Sequence, residues 1–76
     1  MARNKFVVGE QAEVLCDHIR NGQRVHDWLL GTVVQADYRM AAVKFETDVF
    51  SIDGYPIPDR TLWCAHGSKH LRRPSG

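Results

Sequence analysis

Several things are scarce in this 76-residue chain, and each scarcity excludes something. With only two cysteines there is no disulfide framework of the kind that staples small secreted domains, so Cys16 and Cys64 are expected as free thiols. No uninterrupted apolar run approaches the roughly 20 residues that span a bilayer. After the basic start Arg3-Asn4-Lys5, the apolar stretch is only Phe6-Val7-Val8 before Gly9, short of the roughly 7–15 residues of a secretory signal. The sequence therefore reads as cytoplasmic, with no membrane partner. An excess of charge is also missing, because Lys+Arg 10 stand against Asp+Glu 9 for a net charge of +1. That balance, with 43% hydrophobic residues, excludes a low-hydrophobicity disordered tail and a strongly basic nucleic-acid clamp. Internal repeats, low-complexity runs, phosphate-cradling glycine loops and paired-carboxylate motifs are absent as well. A chain this short buries about 60% of its unfolded surface, so one compact core or self-assembly has to stabilise it, and a multi-layer enzyme is out of reach.

What is there has a period of two rather than 3.6, with β-branched and aromatic residues in short segments between turn signals. The alternation in Ala12-Glu13-Val14-Leu15-Cys16 puts Ala12, Val14 and Cys16 on one face, which we assign to the core. Asn21-Gly22 is a strong hairpin signal, because a type I′ turn needs positive φ at both central positions. Counting back from that turn sets Arg20 opposite Gln23, Asp17 opposite His26 and Leu15 opposite Trp28. A second strand spans Trp28 to Ala36, with Gly31, Val33 and Gln35 on one face; Gly31 inside it marks a bend or a close backbone approach. A short turn at Asp37-Tyr38-Arg39 leads to a third strand from Met40 to Phe45. From Glu46 to Arg60, Asp53-Gly54 offers another hairpin turn, and Pro56 and Pro58 point their missing donors to one side while Ile57 can pair on the other. This is edge-strand behaviour. Thr61 to Ala65 is the next strand, His66 to Lys69 a turn, and His70-Leu71-Arg72 a short closing segment. No long helix fits, and the tail from Arg72 to Gly76 reads as frayed.

The succession Gly9-Glu10-Gln11-Ala12-Glu13-Val14, Trp28-Leu29-Leu30-Gly31-Thr32-Val33-Val34, Ala42-Val43-Lys44-Phe45, Leu62-Trp63-Cys64 and Lys69-His70-Leu71-Arg72-Arg73 resembles the SH3-like small-barrel superfamily, especially Tudor- and KOW-type domains. The resemblance covers residues 9–73, leaving 1–8 and 74–76 as terminal segments. It implies an all-β, single antiparallel barrel of about five strands. The stretch 46–60 departs from it, being an excursion longer than the usual connection between the third and fourth strands, and is a candidate seat of function. Such barrels seldom act as enzymes; the resemblance implies a non-catalytic module that binds peptides, RNA, DNA or methylated side chains through aromatics at one end. The Val-Gln-Ile-Tyr signature of the plasmid-type dihydrofolate reductases, a small-barrel enzyme family, is absent.

The aromatics left over from the core assignment are Trp28, Tyr38, Phe50, Tyr55 and Trp63, the candidate partner surface; the competing reading is that the two tryptophans cover the open ends of the core. A methyl-ammonium cage would also need an acidic neighbour, which the sequence does not place. Arg20 and Arg24 at the first hairpin with Lys69, Arg72 and Arg73 near the C-terminus form the candidate basic patch, diluted by nearby acids. Cys16-x-His18 and Cys64-x-His66 share a spacing that could contribute tetrahedral zinc ligands. That spacing differs from a zinc knuckle, however, and Cys16 is wanted by the core. Buried thiols with surface imidazoles are the simpler expectation, with no metal and no cofactor. Cys64 with His66 or His70 would need an exposed, electropositive niche to act as a nucleophile, whereas a thiol in a hydrophobic strand is normally inert, and Asp17 with His26 is more economically a cross-strand surface contact. The sequence thus points to an accessory protein that attaches to a larger cytosolic protein assembly, of the kind that phages and mobile elements encode. The alternatives are an RNA- or DNA-binding barrel, and a homo-oligomer in which the Pro-bearing excursion buries Ile57 and Tyr55 against a neighbour.

Overall fold

The Asn21-Gly22 turn organises the first half of the chain. In the computed structural model, which describes residues 5–74, Asn21 (φ 53) and Gly22 (φ 79) both take the left-handed conformation that a type I′ turn requires. They join β1 (Gln11–Arg20) to β2 (Gln23–Ala36) in an unbroken antiparallel register that includes Arg20 opposite Gln23, Asp17 opposite His26 and Leu15 opposite Trp28. The second strand thus begins at Gln23, earlier than the sequence pattern suggested. Along β1 the alternation holds, and Ala12, Val14 and Cys16 are buried.

At Gly31 the backbone of β2 packs so closely on β3 (Met40–Lys44) that an added Cβ would sit 2.7 Å from the Lys44 carbonyl oxygen. A β-bulge follows between Val33 and Gln35, and it corrects one sequence expectation. Val33 stays in the core while Gln35 turns outward, because the bulge sets two residues of β2 against one of β3 and so reverses the alternation of faces beyond it. At the β2–β3 turn, Asp37 Oδ1 accepts the Arg39 and Met40 amides at 2.7 and 2.8 Å, a local closure that needs no glycine.

The stretch 46–60 is an ordered hairpin. β4 (Val49–Phe50) pairs with β1, the return segment bridges Phe50 to Pro56, and the Ile57 amide donates to the Val49 carbonyl, so Ile57 pairs between two donorless prolines. Gly54 (φ 90) forms the tip, and Arg60 ties the base by donating to Asp48 and to the Glu46 carbonyl. A 3₁₀ turn over Pro58–Arg60 then leads into β5 (Thr61–Ala65), which pairs with β3, and β6 (Leu71–Arg72) closes back on β1. The result is a single sheet in the order β4-β1-β2-β3-β5, with β6 beside β1, curled into a nearly closed antiparallel barrel. Among the described residues no helix is long and apolar enough to cross a membrane.

The core draws Val14, Cys16, Val33, Val43, Phe45 and Val49 inside the barrel, and Leu71 closes it. Packing continues upstream of Gly9, because Phe6 is only 4% exposed and its amide donates to His66 Nδ1 at 3.0 Å. Nor does the tail fray where expected. Arg73 lies over the Phe6 ring, bonds Glu10 at 2.5 Å and donates to the Lys5 carbonyl, fastening the two ends of the barrel chain together. Of the terminal segments, residues 1–4, 75 and 76 lie outside the described residues.

Candidate functional site

The site follows from where the sheet stops. The outer edge of β1 is occupied along its length: β6 pairs at Glu13 and Val14, the Leu15 amide donates to the His70 carbonyl at 2.9 Å, and β4 pairs at Asp17 and His18. Among the described residues β5 pairs only with β3. Between β5 and β1 the wall is therefore incomplete, and a cleft of about 310 Å³ opens there. Val14, Cys16, Leu62 and Cys64, all turned toward the core, belong to its lining, and Leu15, Phe50, Ile52 and Trp63 complete its apolar walls. His70 and the Asp17–His26 pair, 2.6 Å apart and cross-strand as the register requires, supply its polar edge.

Of the sequence-derived aromatics, the cleft unites two. Phe50 enters from the hairpin beneath the Arg24 guanidinium, 3.9 Å from its centroid. Trp63 projects outward from β5 opposite Ala42, leaving that alanine 1% exposed while remaining 51% exposed itself. Trp28 lies elsewhere, half-buried under the Arg72 guanidinium at 3.9 Å. Tyr38 stands on the β2–β3 turn beside Lys5 and Arg39, and Tyr55 stands exposed on the hairpin. Ile52, a residue that sequence reasoning passed over, is 99% exposed on the cleft wall. A readable signal existed, since Ile52 is an apolar residue placed immediately before the Asp53-Gly54 turn.

The basic residues are largely engaged within the chain. Arg20 forks onto Asp27, Arg24 donates to the Gly54 carbonyl, and Arg72 holds Glu13 at 2.8 Å. Arg73 is held by Glu10 and the Lys5 carbonyl, and Lys69 sits apart on the β5–β6 turn. Such pairing leaves little unneutralised positive field.

The two thiol–imidazole pairs separate. Cys16 and Cys64 are both free and share the cleft, but both imidazoles are buried rather than on the surface, which corrects the sequence expectation. His66 accepts the Phe6 amide at Nδ1 and donates from Nε2 to the Asp37 carbonyl at 2.6 Å, so each ring nitrogen is committed to the backbone. His18, 1% exposed, meets Asp27 through Nε2 at 2.6 Å, and its Nδ1 has no partner. The hydrogen bond from His18, then those from Arg20, holds the Asp27 carboxyl below its usual range. Among the described residues no three His, Cys, Asp or Glu side chains gather as a metal site. Burial pushes the Cys16 thiol up to about 11, with lesser contributions from Cys64, Asp17 and Asp27, and burial raises Cys64 too. Both remain protonated at neutral pH, the unreactive form.

Comparison with protein families, curated proteins and solved structures finds no match to this chain.

Proposed function

We propose that this chain is a non-catalytic protein-binding module of the SH3-like barrel type, acting as an accessory factor of a larger cytosolic protein assembly. The supporting observation is the apolar cleft between β5 and β1, whose Phe50, Ile52 and Trp63 walls meet core side chains at its base. A cleft with large apolar walls gains from a complementary apolar surface, and aromatic anchors tend to dominate such binding energies. Of the wider set of aromatics, Phe50 and Trp63 carry this reading. The nucleic-acid alternative draws less support, since Arg20, Arg72 and Arg73 are spent on carboxylates. The oligomer alternative, with Ile57 buried by a neighbour, is weakened because Ile57 already packs on the chain's own core.

The test is an affinity capture from nuclease-treated extract with the wild-type chain, Ile52→Asp, and Lys69→Gln, the last lying outside the cleft. Ile52 is almost fully exposed, so its replacement leaves the fold intact. A stoichiometric protein retained by wild type and Lys69→Gln but lost with Ile52→Asp is the expected result. Capture that depends on nucleic acid, or that is indifferent to Ile52, refutes the proposal.

A further inference from the structure

The cleft has a backbone side as well as a side-chain side. Along β5 the ladder to β3 is bounded by the Phe45 amide donating to the Arg60 carbonyl and the His66 amide donating to the Arg39 carbonyl. Hydrogen-bonded pairs alternate in an antiparallel ladder, so Leu62 opposite Val43 and Cys64 opposite Ala41 carry the bonds between those bounds. Thr61, Trp63 and Ala65 therefore turn their backbone groups the other way, toward the cleft. At the two ends those groups are already satisfied: the Thr61 amide donates to the Pro58 carbonyl, and the Ala65 carbonyl accepts the Ser68 amide. Left without a backbone partner among the described residues are the Thr61 carbonyl, the Trp63 amide and carbonyl, and the Ala65 amide. They have the spacing of a strand edge, and the strand that carries them has neither charge nor proline, the usual protections of an open edge.

We infer that an extended, uncharged segment of the partner adds to β5 as a further antiparallel or parallel strand within this cleft. The inference rests on the proposed protein-binding role and specifies its chemistry. An unpaired row of amides and carbonyls is complementary to another extended backbone. Successive side chains of the added strand then alternate, one set entering beside Leu62 and Cys64 and the other lying outside with Trp63. Among the described residues no Lys or Arg lines the cleft, and the one carboxylate in its lining, Asp17, is held by His26. A charged side chain entering there would lose its water without gaining a counter-ion, so the inward residues are apolar. The occupant is a single strand rather than a second copy of this chain. A second β5 would arrive with its own β3 attached on the far side, where β1 and the hairpin already stand.

The experiment selects linear peptides from a random display library on the immobilised full chain, then uses the strongest as the probe against ¹⁵N-labelled protein in amide hydrogen exchange. The expected result is a peptide with apolar residues at alternate positions that slows exchange of the Trp63 and Ala65 amides by about tenfold or more. Ala65→Pro removes an outward amide that β3 does not use, and should abolish binding while keeping the β3–β5 ladder. A selected peptide that needs Ile52 yet leaves both amides exchanging freely would overturn strand addition while preserving the protein-binding role. Failure to enrich any peptide over the Ile52→Asp protein would overturn both. Protection of the two amides in peptide-free protein, rising with concentration, would make a second copy the occupant and overturn the inference.

Discussion

Gly31→Ala is the substitution for which the barrel's geometry makes the sharpest demand. The new methyl would lie 2.7 Å from the Lys44 carbonyl oxygen, from Phe45 Cδ1 and from Val43 Cγ1, well inside van der Waals contact. The phenyl ring can turn slightly, but the Lys44 oxygen is backbone in a strand paired to β2, and Val43 is fully buried. Relief therefore requires the β2–β3 ladder to open locally. Overpacking a filled interior costs about 1–3 kcal/mol, and a clash against backbone argues for at least the middle of that range. At about 2 kcal/mol, a domain of this size should melt about 8–16 °C lower, measured by thermal unfolding followed through the two tryptophans. Gly22→Ala is the control. Its φ of +79 strains any side chain, but nothing lies within 4 Å, so only a backbone cost of about 1 kcal/mol applies. If Gly31→Ala melts within about 2 °C of wild type, or no lower than Gly22→Ala, the close approach of β2 to β3 is not what fixes this position.

Phe6→Ala, which removes a buried ring from the segment ahead of β1, should cost about 3 kcal/mol in urea unfolding; a loss below about 1 kcal/mol would place that segment outside the cooperative unit. Alkylation by iodoacetamide at pH 8 should modify Cys64 before Cys16, because Cys16 is more deeply buried and its thiol is pushed up to about 11. Equal rates on the folded chain, read by mass spectrometry, would contradict this. Asp37 is held below its usual range by the Met40 and then the Arg39 amide, and Asp27 by His18 and then Arg20. A carboxyl depressed in the folded state stabilises above its unfolded value near 3.9, and that contribution disappears as pH falls through the folded value. Melting temperature should thus drop below about pH 4, and Asp37→Asn should flatten part of that drop while lowering stability at pH 7; an unchanged slope would remove Asp37 from the account.

The parts of this fold that were legible in the sequence are those governed by local chemistry. Asn21-Gly22 specified a two-residue turn, and with the turn fixed every pair from Arg20–Gln23 to Leu15–Trp28 followed by counting. Gly31 announced a close approach because no larger residue fits one, and Pro56, Ile57 and Pro58 announced their pairing side by which of them owns an amide. What escaped was set by contacts distant in sequence. Phe6 looked like part of a loose end because its partners, His66 and Arg73, come from the opposite end of the chain. The bulge after Val33 sets two residues of β2 against one of β3, an insertion that no period-two pattern encodes. The expectation of surface imidazoles fails for the same reason. His18 and His66 follow each cysteine on the inward face, and their burial is tolerated only because Asp27, the Asp37 carbonyl and the Phe6 amide meet them.

The same long-range contacts decide which surface is left for a partner. Near-neutral composition allowed either a mixed solvated surface or a local basic patch, and the two differ only in where the acids fall. Glu10, Glu13 and Asp27 fall beside Arg73, Arg72 and Arg20, while Phe6, Trp28 and Phe50 lie under guanidinium planes. Arginine thus serves this small barrel as a cover for rings at the margin of its core, combining a planar stack with a charge-assisted bond. On β5 this device is missing, because no arginine among the described residues lies over Trp63 and the strand itself carries no charge. A barrel that stacks guanidinium groups over Phe6, Trp28 and Phe50, and leaves Trp63 half-exposed beside an unpaired backbone edge, offers on β5 the surface that the proposed strand addition requires.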